Sequence, residues 1–266
     1  MCDHDCTPAD AEVSVTPGAT ATHSDAPTPL EARVVELLRR DELARVDFVA
    51  GPTVVSQAEL RARACEIERN LLHVIEVDQP PAGDASYQSA DPPQRATPRR
   101  PGVTALMGNT LYVKTGIDLD LVLKRALVLH EMVHATQDAT RIDATLVEAE
   151  VAAFTAQAMV FMVFGTTWSG EIQRGRQPVD PTLSEEAARA ERDRRSALDA
   201  LVRATESAAR DLFGRGRGAA MTTEQMDQVS TALGGIAYYA AHIHDGTYFD
   251  GISPLTRAVG RGGRRR

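Results

Sequence analysis

"VLHEMVHATQD", residues Val128–Asp138, is the stretch on which the reading of this chain turns. Two histidines stand four positions apart, with a glutamate directly after the first. Residues four apart on an α-helix lie one turn above each other on the same face, so His130 and His134 can present imidazole nitrogens to a single ion. Glu131 is rotated about 100° from His130 and cannot share that ion comfortably. It can reach a water at the ion's open position. That is the division of labour in an HExxH motif, two ligands plus a general base. With 7 histidines in 266 residues, random placement produces His-Glu-x-x-His in only about 1% of such chains. Leu127, Leu129 and Val133 flank the motif, as a helix seated in a core requires.

A metal with an open position needs a third protein ligand, and "EAEV" supplies Glu148 and Glu150 early in the next apolar segment. A carboxylate on so apolar an element is costly unless paired or metal-bound. One of the two can instead be a first-turn acid facing the helix dipole. Both carboxylates therefore stand as candidates.

Helix-borne "HEMVHATQ", a short connection, then "EAEVAAF" resemble the gluzincin branch of zinc metallopeptidases. They are especially similar to bacterial HExxHxxQ metallopeptidases with an ExEA-type segment on the following helix. The similar part runs from about Thr104 to Gln157, under a quarter of the chain. The resemblance implies one Zn2+ ion held by His130, His134 and a downstream glutamate, with Glu131 as catalytic base and a protein or peptide as substrate. In several such families the ligand glutamate is followed three residues later by a small residue and then by an acid or amide. Laid on this chain, that pattern selects Glu148, with Val151 and Ala152 in the trailing positions. Ala152 is not an acid, which keeps Glu150 as the alternative ligand. The family also implies a side chain that polarises the oxyanion. "YYAAHIHDGTYF" offers Tyr238, Tyr239, His242, His244 and Tyr248, and His244, followed by Asp245, is the catalytic candidate. Its competing reading is a histidine in the last turn of a helix, facing the dipole. "TLYVKT" is placed to be the edge strand that holds an extended substrate, or simply to cover the active helix.

The rest of the chain reads as mainly α with a small β-sheet, an α+β fold. A zincin-like helix pair would have a short β-hairpin upstream and added helices after it. Apolar residues recur at helical spacing from Pro29 to about Arg45. "DFVAGPTVV" is extended around a Gly51-Pro52 turn. Ser56 with Glu59 opens a helix to about Leu72, with Cys65 a buried thiol inside it. Residues 78–101 form a Pro-rich loop, read as a flexible excursion without catalytic residues. Alternation on either side of Gly108-Asn109 predicts the hairpin. Asp118 or Asp120 caps the HExxH helix, which runs towards Thr140. A helix apolar nearly all round spans about Ala144 to Phe164, ended by Gly165 and Gly170. Thr182 with Glu185 starts a long charged helix to about Phe213, and Thr222 with Gln225 opens the last one. The predicted organisation is a disordered leader over 1–28, a single metallopeptidase domain over 29–260 and a basic tail over 261–266.

Composition narrows the function classes. A net charge of −8 argues against nucleic acid as the main partner, because phosphate binding needs a basic field. Three cysteines cannot build a disulfide framework and suit a reducing compartment. "CDHDC" near the start has metal-capable side chains but lacks the second ligand pair of a zinc knuckle. No membrane partner is expected, since no run reaches the roughly 20 apolar residues of a spanning helix. No secretion signal is visible, so a cytoplasmic chain is expected, with export by a signal-peptide-independent route left open. Oligomeric state is open.

Two other readings keep the metal: hydrolysis of a non-peptide amide, or a non-catalytic helical module with a structural ion. Glu131 speaks against the second. A structural site has no use for a glutamate beside its first ligand and prefers four protein ligands.

Overall fold

The computed structural model describes residues 27–81, 83–89, 109–140, 144–236 and residue 239. Among them are seven α-helices, one 3-10 helix and six short strands, so the fold is mainly α with a small β component. The leader as far as residue 26, the predicted strand over Val103–Met107, His242, His244, Tyr248 and the basic tail lie outside the described residues.

Helix α1 (Pro29–Arg39) begins where Thr28 and Glu31 satisfy each other's backbone N–H groups, with proline in the first turn. A 3-10 turn (Asp41–Arg45) follows it. Strands β1 (Phe48–Ala50) and β2 (Thr53–Val55) form an antiparallel hairpin around Gly51, whose φ of 54° suits a residue without Cβ. Helix α2 (Gln57–Glu68) starts at the Ser56 cap. Strands β3 (His73–Val77), β4 (Ala85–Gln88) and β5 (Thr110–Lys114) make a separate sheet. In it β5 is central, parallel to β3 and antiparallel to β4.

That order changes two expectations. "TLYVKT" is not an edge strand, because β3 and β4 occupy both of its ladders. The Pro-rich segment is not structureless either, because β4 lies inside it. Four residues, Ala-Ser-Tyr-Gln, are too short to announce a strand by alternation, and all four are buried.

Helix α3 (Val122–Thr140) carries the HExxH motif. Asp118 accepts from the Asp120 N–H just ahead of it. Helix α4 (Leu146–Val163) returns along α3 after a short connection. It is long and apolar enough to cross a membrane, but 72% of it is buried by the protein's own elements. It forms the centre of the core, with Met159, Val160 and Phe161 inaccessible to solvent or nearly so. Gly165 ends it with a φ of 73°.

A further helix, α5 (Trp168–Gly175), follows directly, so Gly170 lies inside a helix rather than ending one. Its first turn is held by Glu206, which accepts from both the Ser169 N–H and hydroxyl. The long helix α6 (Glu185–Arg215) is capped by Ser184; Thr182, expected as the cap, bonds to Asp180 instead. Its second half buries Leu201, Val202, Ala209 and Leu212, while its first half is largely solvated. A two-residue strand, β6 (Ala219–Ala220), pairs with β1, and α7 (Thr223–Gly234) starts at the predicted Thr222–Gln225 capping box.

Candidate metal centre

Helix α3 faces α4 with His130, His134 and Glu131 all buried. The two imidazole Nε2 atoms lie 3.3 Å apart. Glu150, buried on the facing side of α4, places Oε2 at 3.5 Å from His130 Nε2 and Oε1 at 3.6 Å from His134 Nε2. These three residues form a group that can hold a metal ion.

Glu148, the favoured ligand in the sequence, is not part of the group. Its carboxylate turns back to accept from the Thr145 N–H at 2.7 Å and the Thr145 hydroxyl at 2.9 Å. Two positions along a helix rotate a side chain by about 200°, so Glu148 and Glu150 cannot both face α3. The first-turn N–H groups of α4 need a cap, and Glu148 sits at the position that provides one. The ligand position falls to Glu150.

The orientation of His134 is fixed from behind. Its Nδ1 lies 2.9 Å from Gln137 Oε1. The Gln137 amide nitrogen donates to the Ala149 carbonyl at 3.1 Å and the Thr53 hydroxyl at 3.2 Å. A carbonyl partner can only accept, which makes the facing Gln137 atom the amide nitrogen and leaves Oε1 for His134. Nδ1 therefore carries a proton in either charge state, and once the ring is neutral Nε2 presents its lone pair to the centre. One glutamine thus ties α3, α4 and β2 together behind a ligand. His130 is held differently: its Nδ1 is buried without a hydrogen-bond partner among the described residues, and its ring packs edge-on against Phe154 with centroids 4.5 Å apart.

The charges at the centre shift one another strongly. Burial alone would lower the His134 imidazolium, but the carboxylate of Glu150, with Glu131 and the Gln137 bond, outweighs it and raises the pKa to about 9. Burial would raise Glu150, yet His134 and His130 hold it far below the ordinary carboxylate range. Glu131 is raised, chiefly by burial and despite both imidazoles. Without a metal, a proton on His134 neutralises Glu150.

Glu131 lies outside the donor group, turned from His130 by its helical phase, and both imidazoles and Glu150 act on its charge. Its Oε2 accepts the Tyr87 backbone N–H at 2.8 Å. Tyr87 belongs to β4 and so comes from the segment read as a catalytically silent loop; a single tyrosine among prolines carries no periodic signal. Tyr239, one of the residues considered in the C-terminal stretch, brings its hydroxyl to 3.4 Å from Glu150 Oε2 and its ring against Phe154. The catalytic candidate His244 lies outside the described residues. Gln137 did have a visible signal, since it ends the HExxHxxQ pattern three residues after His134.

Comparison with protein-family models, with curated proteins and with solved structures finds no match to this chain.

Proposed function

We propose that the protein is a zinc-dependent peptidase. The observation that carries this reading is the pairing of a His130–His134–Glu150 donor group with a separately held glutamate, Glu131, on the same helix turn. The donor set supports zinc: two imidazole nitrogens and a carboxylate oxygen are ligands that zinc takes, the two Nε2 atoms lie 3.3 Å apart, and one donor atom from each residue falls within 4.8 Å of the others. Three protein donors leave the fourth position for chemistry, the hallmark of a catalytic rather than a structural site.

A zinc ion held there supplies Lewis acidity, which acidifies water and polarises a carbonyl. Glu131 then accepts a proton from the attacking water as its oxygen bonds to the scissile carbonyl carbon. It returns that proton to the leaving nitrogen as the C–N bond breaks. Burial, which raises Glu131 above the ordinary carboxylate range, suits a group that must hold a proton between those two steps. Gln137 keeps the His134 tautomer that a ligand needs.

The test compares wild type with Glu131→Gln. Metal analysis should find near-stoichiometric zinc in both proteins. A proteome-wide search for new peptide termini should find them with the wild type and not with the variant. Equal cleavage by both, or a purified wild type that binds no zinc, defeats the proposal.

A further inference from the structure

Tyr87 is fastened to α3 at both of its ends. Its backbone N–H donates to Glu131 Oε2 at 2.8 Å, and its phenol donates to Asp138 Oδ2, also at 2.8 Å. Glu131 and Asp138 are seven residues apart, two turns along one helix face and roughly 10 Å along the axis. The tyrosine side chain spans that distance with only 1% of its surface exposed. Burial, then the Asp138 charge, push the phenol above its ordinary range, so it remains a donor. The same oxygen lies 3.0 Å from Asn109 Oδ1, at the head of β5.

This strap ties β4 to α3. β4 is four residues long and, among the described residues, has a ladder on one side only, to β5. Its other side faces α3, where the Tyr87 amide turns towards the helix. The phenol fixes the far end of that contact. Asp138 is buried and is itself set among charges, with Arg63 and Glu66 of α2 acting on the same tyrosine. Arg63 in turn donates to the Ala135 carbonyl of α3 and pairs with Glu66.

We propose that Tyr87 is the positioning residue of Glu131: its phenol, anchored on Asp138, sets the path of β4 and thereby keeps its own amide on the carboxylate. This rests on Glu131 being the general base. The amide holds Oε2 and leaves Oε1 to take the proton. A carboxylate released from that bond would sample rotamers out of line with the attacking water, and a misplacement of about 1 Å can cost on the order of 100-fold in rate.

The test uses the full chain loaded with zinc, a quenched-fluorescent peptide library as substrate, and hydrogen exchange at the residue-87 amide. Tyr87→Phe keeps the ring and removes the anchor. It should lower kcat about tenfold or more, change KM by less than about twofold and leave zinc content unchanged. The residue-87 amide should exchange faster, as it should in Glu131→Ala, while the amides of Leu111 and Val113 in β5 keep their protection. A role in stability alone would instead speed exchange throughout the sheet. Unchanged kcat and unchanged exchange at residue 87, with Glu131→Gln still inactive, overturn the inference and leave the peptidase reading standing. If the wild type cleaves nothing, the peptidase reading fails, and equal residue-87 exchange in wild type and Tyr87→Phe then removes the anchor as well. Should Tyr87→Phe fail to fold, Asp138→Asn weakens the same bond without changing its shape. Several-fold faster exchange at residue 87 supports the strap, and wild-type exchange overturns it.

Discussion

Gln137 Oε1 accepts the Nδ1 proton of His134 at 2.9 Å, and the amide nitrogen of the same side chain is spent on Ala149 and Thr53. The bond does more than tidy a buried polar group. It decides which imidazole nitrogen faces the centre, and it does so from a residue whose own orientation is settled by a carbonyl.

Gln137→Leu should therefore lower metal affinity by about 10–100-fold, the usual cost of losing such a partner. Gln137→Glu retains an acceptor for Nδ1 and should keep affinity much closer to wild type. Competition with a chromophoric chelator measures both. Wild-type affinity in the leucine variant would show that the tautomer is set by something else.

Glu150→Ala and Glu148→Ala separate ligand from cap. Removing Glu150 deletes one of three donors and leaves two imidazoles, so metal content after desalting should fall to near zero. Removing Glu148 should leave metal content unchanged and cost about 1 kcal/mol in stability. Metal analysis and thermal melting distinguish the two, and the reverse pattern would return the ligand role to Glu148.

Metal binding should be pH-dependent through His134. In the metal-free protein its pKa rises from 6.5 to about 9. Its contribution to stability is then fully present below 6.5 and is lost as pH rises through about 9. Glu150 is shifted the other way, so its contribution is present above its ordinary 4.5 and is lost as pH falls. An incoming metal must displace the His134 proton. Affinity should rise with pH by up to about tenfold per unit below about 9 and level off above it, with about one proton released per ion near neutrality. Calorimetry in two buffers of different ionisation enthalpy counts that proton; no release and a flat pH profile would contradict the prediction.

Thr145→Ala tests the cap that diverted Glu148. It removes the hydroxyl that accepts the Glu148 N–H at 3.2 Å. The expected loss is about 0.5–2 kcal/mol, read as a melting temperature lower by about 1–8 °C, with metal content unaffected. A large loss of metal would mean that the first turn of α4 also sets the position of Glu150.

Much of this molecule is written locally. The phase of α3 places His130 above His134 and turns Glu131 aside, and those relations follow from 3.6 residues per turn without any knowledge of neighbours. Thr28, Ser56 and Thr222 mark helix starts because a capping side chain acts within three residues of its own position. The apolar circumference of Leu146–Val163 marks a central helix for the same reason.

Tertiary structure decided what depends on residues far apart in the chain. Glu148 and Glu150 look alike as letters, and only the direction from which α3 approaches α4 separates the cap from the carboxylate that faces the two histidines. Sheet order made β5 central and β4 the edge, because hydrogen-bond ladders join strands across sequence gaps that no local period records. Tyr87 is the clearest case: it lies 44 residues before Glu131, in a segment whose prolines suggest a loop. The amide it gives to that carboxylate, and the bond from its buried phenol to buried Asp138 two helical turns away, join residues that no local period relates.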